Sequence, residues 1–75
     1  MADDIATATI TGLNHDLKAK RSIVILVWDD DPERRLFLPV PFGCSFADLP
    51  REAEAALRAL AIETAGMALH MPAGL

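Results

Sequence analysis

A chain of 75 residues with seven Lys and Arg against eleven Asp and Glu, a formal net charge of −4, is too short for two domains and too acidic for a non-specific nucleic-acid binder. Apolar residues at 52% and charged ones at 24% give the balance of a folding globular chain and argue against disorder. A single cysteine excludes an internal disulfide, and the stretch Met1-Ala2-Asp3-Asp4 has neither the positive region nor the apolar run of a signal peptide, so a reducing, cytoplasmic setting is expected. The longest strictly apolar run, Ile23 to Trp28, is far below the roughly 20 residues that cross a bilayer, so no membrane association is expected either.

In chain order, Ile5 to Leu13 predicts a strand, because Thr7, Thr9 and Thr11 alternate with Ala6, Ala8 and Ile10 at period two, threonines toward water and Ile10 toward the core. Asn14 to Arg21 has no apolar period and reads as a loop, or as a prolongation of the hairpin. Ser22 to Trp28 is mostly β-branched or aromatic without polar alternation, the pattern of a central strand covered on both faces. Asp29-Asp30-Asp31-Pro32-Glu33-Arg34 then forms the turn, and Arg35 to Phe42 the returning strand, with Leu36, Leu38, Val40 and Phe42 on one face. Pro39 and Pro41, two apart, remove donors from one side of that strand, so it is expected to pair with Ser22 to Trp28 through its other side and to be an edge, or to be covered there by something that is not a continuous strand.

Gly43-Cys44-Ser45 breaks the extended pattern, and Ala47-Asp48-Leu49-Pro50 opens a helix with Asp48 as N-cap and Pro50 in the first turn. Leu49, Ala53, Ala56, Leu57, Leu60 and Thr64 keep to one helical face; Glu54 and Arg58 stand four apart in the favourable order; Gly66 stops the helix. The remainder, Met67 to Leu75, is either a disordered end or holds a short strand at Ala68 to Met71 closed by Pro72. The expected fold is one α+β domain over residues 1–75: a three-stranded antiparallel sheet with one helix on one face, and β-β-β-α-β if the last strand forms.

One helix covers one face of such a sheet. Either Val24, Leu26 and Trp28 or the alternate set Ile23, Ile25 and Val27 then lies open, and a second copy in a homodimer, or a partner protein, is the simplest cover. The residues assigned to partner binding on this reading are Val24, Leu26, Trp28, Phe37, Pro39 and Pro41.

Catalytic chemistry finds little support in the residue pattern. Asp29, Asp30, Asp31 and Glu33 lack the glycine and the distant Glu of a calcium loop and read as a solvated turn. His15 and His70 have no ligand spacing and read as surface or loop residues. Cys44, near a helix start and with His70 as the imidazole a thiol mechanism would use, is flanked by Phe42 and Phe46 and reads as a small packed residue. Phosphate-binding glycine motifs, a serine elbow and a zinc-type cysteine pair are absent from the sequence. No enzyme activity, cofactor or metal is therefore expected. Lys18, Lys20 and Arg21, joined by Arg34 and Arg35 if they gather at one end of the sheet, read as a solvated end balancing the aspartates, and nucleic acid is not the expected ligand.

From Ser22 onward the chain resembles the HicB family of antitoxins, the acidic partners in HicA and HicB toxin–antitoxin pairs. The resemblance is carried by Ile23 to Asp31, an apolar strand running into acidic turn residues; by Phe37-Leu38-Pro39-Val40-Pro41-Phe42-Gly43-Cys44, similar to a strand ending in Pro and then Gly-Cys; by Glu52-Ala53 at the helix start; and by Ala65-Gly66 through Met71-Pro72. It spans residues 22 to 73. Ile5 to Leu13 stands in front of the family's usual first strand, Phe46-Ala47-Asp48-Leu49-Pro50 replaces its usual Gly and Thr, and no DNA-binding segment follows the helix in this sequence. What the resemblance implies is a protein-binding role: an acidic sheet-and-helix module that masks a small basic toxin, with opposite charge speeding association.

Overall fold

The computed structural model describes residues 6–74 and contains β1 (Ala8–Asp16), β2 (Arg21–Trp28), β3 (Asp31–Val40) and α1 (Leu49–Ala65). The strands form one antiparallel sheet in the order β1-β2-β3, with α1 packed against β3. This is the α+β architecture the sequence predicts, with β2 central and the proline-bearing β3 at an edge. Among the described residues no helix is long and apolar enough to cross a membrane.

Two irregularities move strand boundaries away from their expected places. In β1, Ile10 faces Leu26 but Gly12 faces Ile25, so one extra residue is inserted and the side-chain parity flips. Leu13 and His15 thereby join Ile10 on the helix side, and the strand continues to Asp16 where simple alternation predicts a loop after Leu13. The turn is only Leu17 to Lys20, closed by the Asp16 carboxylate, which accepts the N–H groups of Lys18 and Ala19 at 3.1 and 3.0 Å. Ile5, the expected first residue of this strand, lies outside the described residues. The second shift, between Val27 and Trp28, lets β3 begin at Asp31, so the expected six-residue turn contracts to Asp29-Asp30. Arg34 stacks its guanidinium 4.3 Å from the Trp28 ring centre there, a contact that holds a charged residue in strand conformation. β3 ends at Val40 and not at Phe42: Pro41 starts a four-residue turn closed by the Cys44 N–H on the Pro41 carbonyl at 3.0 Å, with Gly43 at φ 78° where a side chain would be strained.

The core is small. Val24, Leu26, Leu38, Val40, Leu49 and Ala53 are buried, with Ile10, Leu13, Leu36, Cys44, Ala56 and Leu60 packed partly against them. Val24 and Leu38 face each other across β2 and β3, both essentially without solvent contact, beneath the first turns of α1. Only the first half of α1 is well covered: Leu57 is 39% exposed, and Thr64 is exposed and turns its hydroxyl back to the Leu60 carbonyl at 2.8 Å. Asp48 occupies the N-cap position but makes no capping hydrogen bond with its side chain. Its backbone is already helical (φ −90°, ψ −10°), and its carboxylate pairs instead with Arg51 at 3.3 Å. The helix ends at Ala65 before Gly66. The short strand at Ala68 to Met71 does not form; that segment carries neither helix nor strand.

Ser22 is the one buried polar residue among those described, and it ties three segments together. Its hydroxyl is hydrogen-bonded to Nδ1 of His15 on β1 and accepts the N–H of Gly43 after β3 at 3.0 Å, while the His15 ring meets Phe42 edge-on with centres 6.4 Å apart.

Leu38→Ala is expected to lower the unfolding free energy by about 2–5 kcal/mol, a large part of the total for so short a chain. Phe37→Ala, one residue away on the other face and 59% exposed, is expected to change it by less than about 1 kcal/mol. Urea denaturation of both variants at one protein concentration measures the contrast.

Candidate protein-binding surface

Register decides which half of the apolar central strand is hidden. Ser22, Val24 and Leu26 point toward α1 and are buried, while Ile23, Ile25 and Val27 lie half-buried on the opposite, open face. The six residues assigned to partner binding from sequence therefore do not form one surface. Val24 and Leu26 are interior, covered by the helix, and are not available to a partner in this fold; Trp28 is on the same side but only half-buried. Phe37 and Pro39 lie exposed on the open face, and Pro41 is exposed in the turn beyond β3. The open alternative is the set Ile23, Ile25 and Val27.

On that face the cross-strand pairs Ile23–Pro39 and Ile25–Phe37 place four apolar side chains side by side. Opposite Ile25 on β1 stands Gly12, and a Cβ there would come within 3.1 Å of the Ile25 Cδ1, so the isoleucine spreads over a position kept free of side chain. Thr9, Thr11 and Asn14 edge the patch on the β1 side. Its two ends differ in charge. Lys18, Lys20 and Arg21 sit at the β1–β2 turn, whereas Asp29, Asp30, Asp31 and Glu33 sit at the β2–β3 turn beside Arg34 and Arg35. The five basic residues are thus divided between opposite ends of the sheet and do not gather into one patch.

A second apolar surface lies on the helix side. Because α1 rests on β3, a groove of about 410 Å³ stays open between Pro50, Ala53 and Leu57 of the helix and Ala8, Ile10, Leu26 and Trp28 of the sheet. The Thr9 hydroxyl donates to Asp29 at 2.7 Å, and the hydroxyls of Thr7 and Thr9 together hold that carboxyl below its ordinary range. Asp31 accepts the N–H of Glu33 at 3.2 Å. Among the described residues, no three His, Cys, Asp or Glu side chains converge on a metal position. Cys44 donates its thiol to the Ser45 carbonyl at 3.5 Å; burial, and then Glu52 and Asp48 against a weaker effect of Arg51, push its pKa up, which keeps the thiol protonated. His70 lies in the exposed segment after the helix, and His15 is engaged by Ser22.

Two solution measurements follow from these environments. Asp29 has its folded pKa depressed, so its contribution to stability is present above the unfolded value of about 3.9 and is lost as pH falls through the lower folded value. Thr9→Val should move the Asp29 carboxyl titration upward, toward that ordinary value, in a carbon-13 NMR pH series. Cys44 should react more slowly with a disulfide reagent at neutral pH than a free thiol does. Glu52→Gln should speed that reaction by removing a repelling charge, and Cys44→Ser should leave the fold intact.

Comparison of the chain with models of protein families, with characterised protein sequences and with solved structures gave no match.

Proposed function

We propose that the protein is a non-enzymatic binding module whose open sheet face docks a small basic protein, in the manner of a HicB-type antitoxin masking its toxin. The observation that carries this reading is the row Ile23, Ile25, Phe37 and Pro39, four apolar residues on a face that no helix or strand among the described residues covers. An exposed aromatic beside half-buried aliphatics is the composition of an interface centre, and the aspartate-rich turn at one end of the face supplies a rim that attracts a basic partner. The formal charge of −4 acts in the same sense over longer range. The resemblance of residues 22 to 73 to HicB supports this choice of partner class. No cofactor enters the proposal, and the raised thiol pKa of Cys44 disfavours a thiolate mechanism.

The test is affinity capture from the source cell at low salt with the wild-type chain and with Phe37→Asp. A basic protein recovered in stoichiometric amount by the first and lost by the second, with the variant still folded by circular dichroism, is the expected result. Equal recovery by both, or none by either, overturns the proposal.

A further inference from the structure

The segment that follows α1 has the pattern of a strand and lacks a sheet. Met67, Leu69 and Met71 alternate in sequence with Ala68 and His70 along a segment that forms no helix or strand, and they are 51%, 86% and 73% exposed, so as a strand the segment would carry its three large apolar side chains on one side. Pro72 closes the pattern. The molecule has a place for such a strand. β1 is a free edge of nine residues without proline, and it borders the helix-side groove lined by Ala8, Ile10, Leu26, Trp28, Ala53 and Leu57. The opposite edge, β3, carries Pro39 and has the helix residues Ala59 and Glu63 alongside it. Five residues, Met67 to Met71, span about 17 Å of strand, well within the length of β1.

We infer that this arm inserts into a second copy of the chain, lying beside β1 of the partner as a fourth strand with Met67, Leu69 and Met71 in the groove, and that two copies exchange arms reciprocally. The direction of exit favours exchange over folding back. The groove is lined by the first half of α1, whereas the arm leaves from the other end, about 13 Å beyond Leu57 along the helix. Surface area points to the same occupant. The chain exposes 6125 Å², while a compact monomer of 8.1 kDa exposes about 4,500 Å². The difference, about 1,600 Å², exceeds the roughly 800 Å² that each partner buries in a stable dimer. The Cα radius of gyration, 14.8 Å, is likewise above the roughly 11 Å of a compact chain of this length. A groove and an arm on the same chain, each apolar and each open, satisfy one another in a closed two-fold pair.

Size exclusion with light scattering tests the exchange. Wild-type protein at high micromolar concentration should run at about 16 kDa, twice the 8.1 kDa chain, and Leu69→Asp should run as a monomer with unchanged far-ultraviolet circular dichroism. In a Cys44→Ser background, a chain carrying Thr11→Cys mixed with a chain carrying His70→Cys should be joined by a short bis-maleimide. A wild-type monomer overturns the inference, whether the arm is free or folded onto its own β1. A dimer indifferent to Leu69→Asp but split by Phe37→Asp overturns it as well, since the copies would then meet through the open sheet face. Phe37 lies on the other side of the sheet, so loss of partner capture and loss of arm exchange are read separately.

Discussion

The contact of Leu38 with Val24 across two strands, roofed by Leu49 and Ala53, is the constraint on which the remaining structure depends. With six buried apolar residues among those described, the Val and Leu side chains each contributing on the order of 1.5–3 kcal/mol, against an ordering cost that grows with every residue fixed, the chain has little margin. The contact also sets the parity of the sheet. Once Val24 and Leu38 point at the helix, Ile23, Ile25, Phe37 and Pro39 must point away from it, and the character of the open face is decided. Ser22 extends the same arrangement to its end: its hydroxyl replaces a hydrophobic contact with hydrogen bonds that position β1 and the turn after β3 at once. A buried hydroxyl with both partners in place specifies geometry more narrowly than a methyl group would.

Much of this is legible in the residues, and what is not has a physical cause. β2 reads clearly because its β-branched run fits nothing else, and the edge position of β3 follows from two prolines without reference to any contact. The helix is visible in the spacing of Leu49, Ala53, Ala56 and Leu60. What the sequence leaves open is parity. All residues from Ile23 to Trp28 are apolar, so no pattern within β2 says which set is covered; the choice is made by where the helix docks, and the set assigned to a partner splits between the two faces. The late half of β1 is hidden for a related reason: one inserted residue near Thr11 reverses the alternation, and a period-two reading stops where the bulge begins. Asp48 stands at the N-cap position that its residue type suggests, but with a helical backbone there its carboxylate makes no capping hydrogen bond, which the sequence does not reveal.

Charge is arranged along the sheet with more order than the net value conveys. The β1–β2 turn is basic and the β2–β3 turn, allowing for Arg34 and Arg35, is acidic, so the strands separate two patches of opposite sign by about eight residues of strand. A binding partner laid along the open face meets a gradient, and its orientation, more than its affinity, is what such a gradient selects.

Pro39 in β3 bears on how far the proposed arm exchange could proceed. A sheet with two open edges can accept a strand on each side, and copies of it can add indefinitely, the geometry that leads to fibres. Here Pro39 removes a donor from β3 and the helix residues Ala59 and Glu63 lie alongside that edge, so β1 is the better acceptor, and in the proposed exchange each chain would have a valence of one for strand addition. One acceptor edge and one donor arm per chain are self-limiting when the exchange is mutual, because a closed pair leaves neither unused. In the exchange proposed above, Pro39 would thereby limit the growth of assemblies for a chain whose small core leaves so much apolar surface exposed.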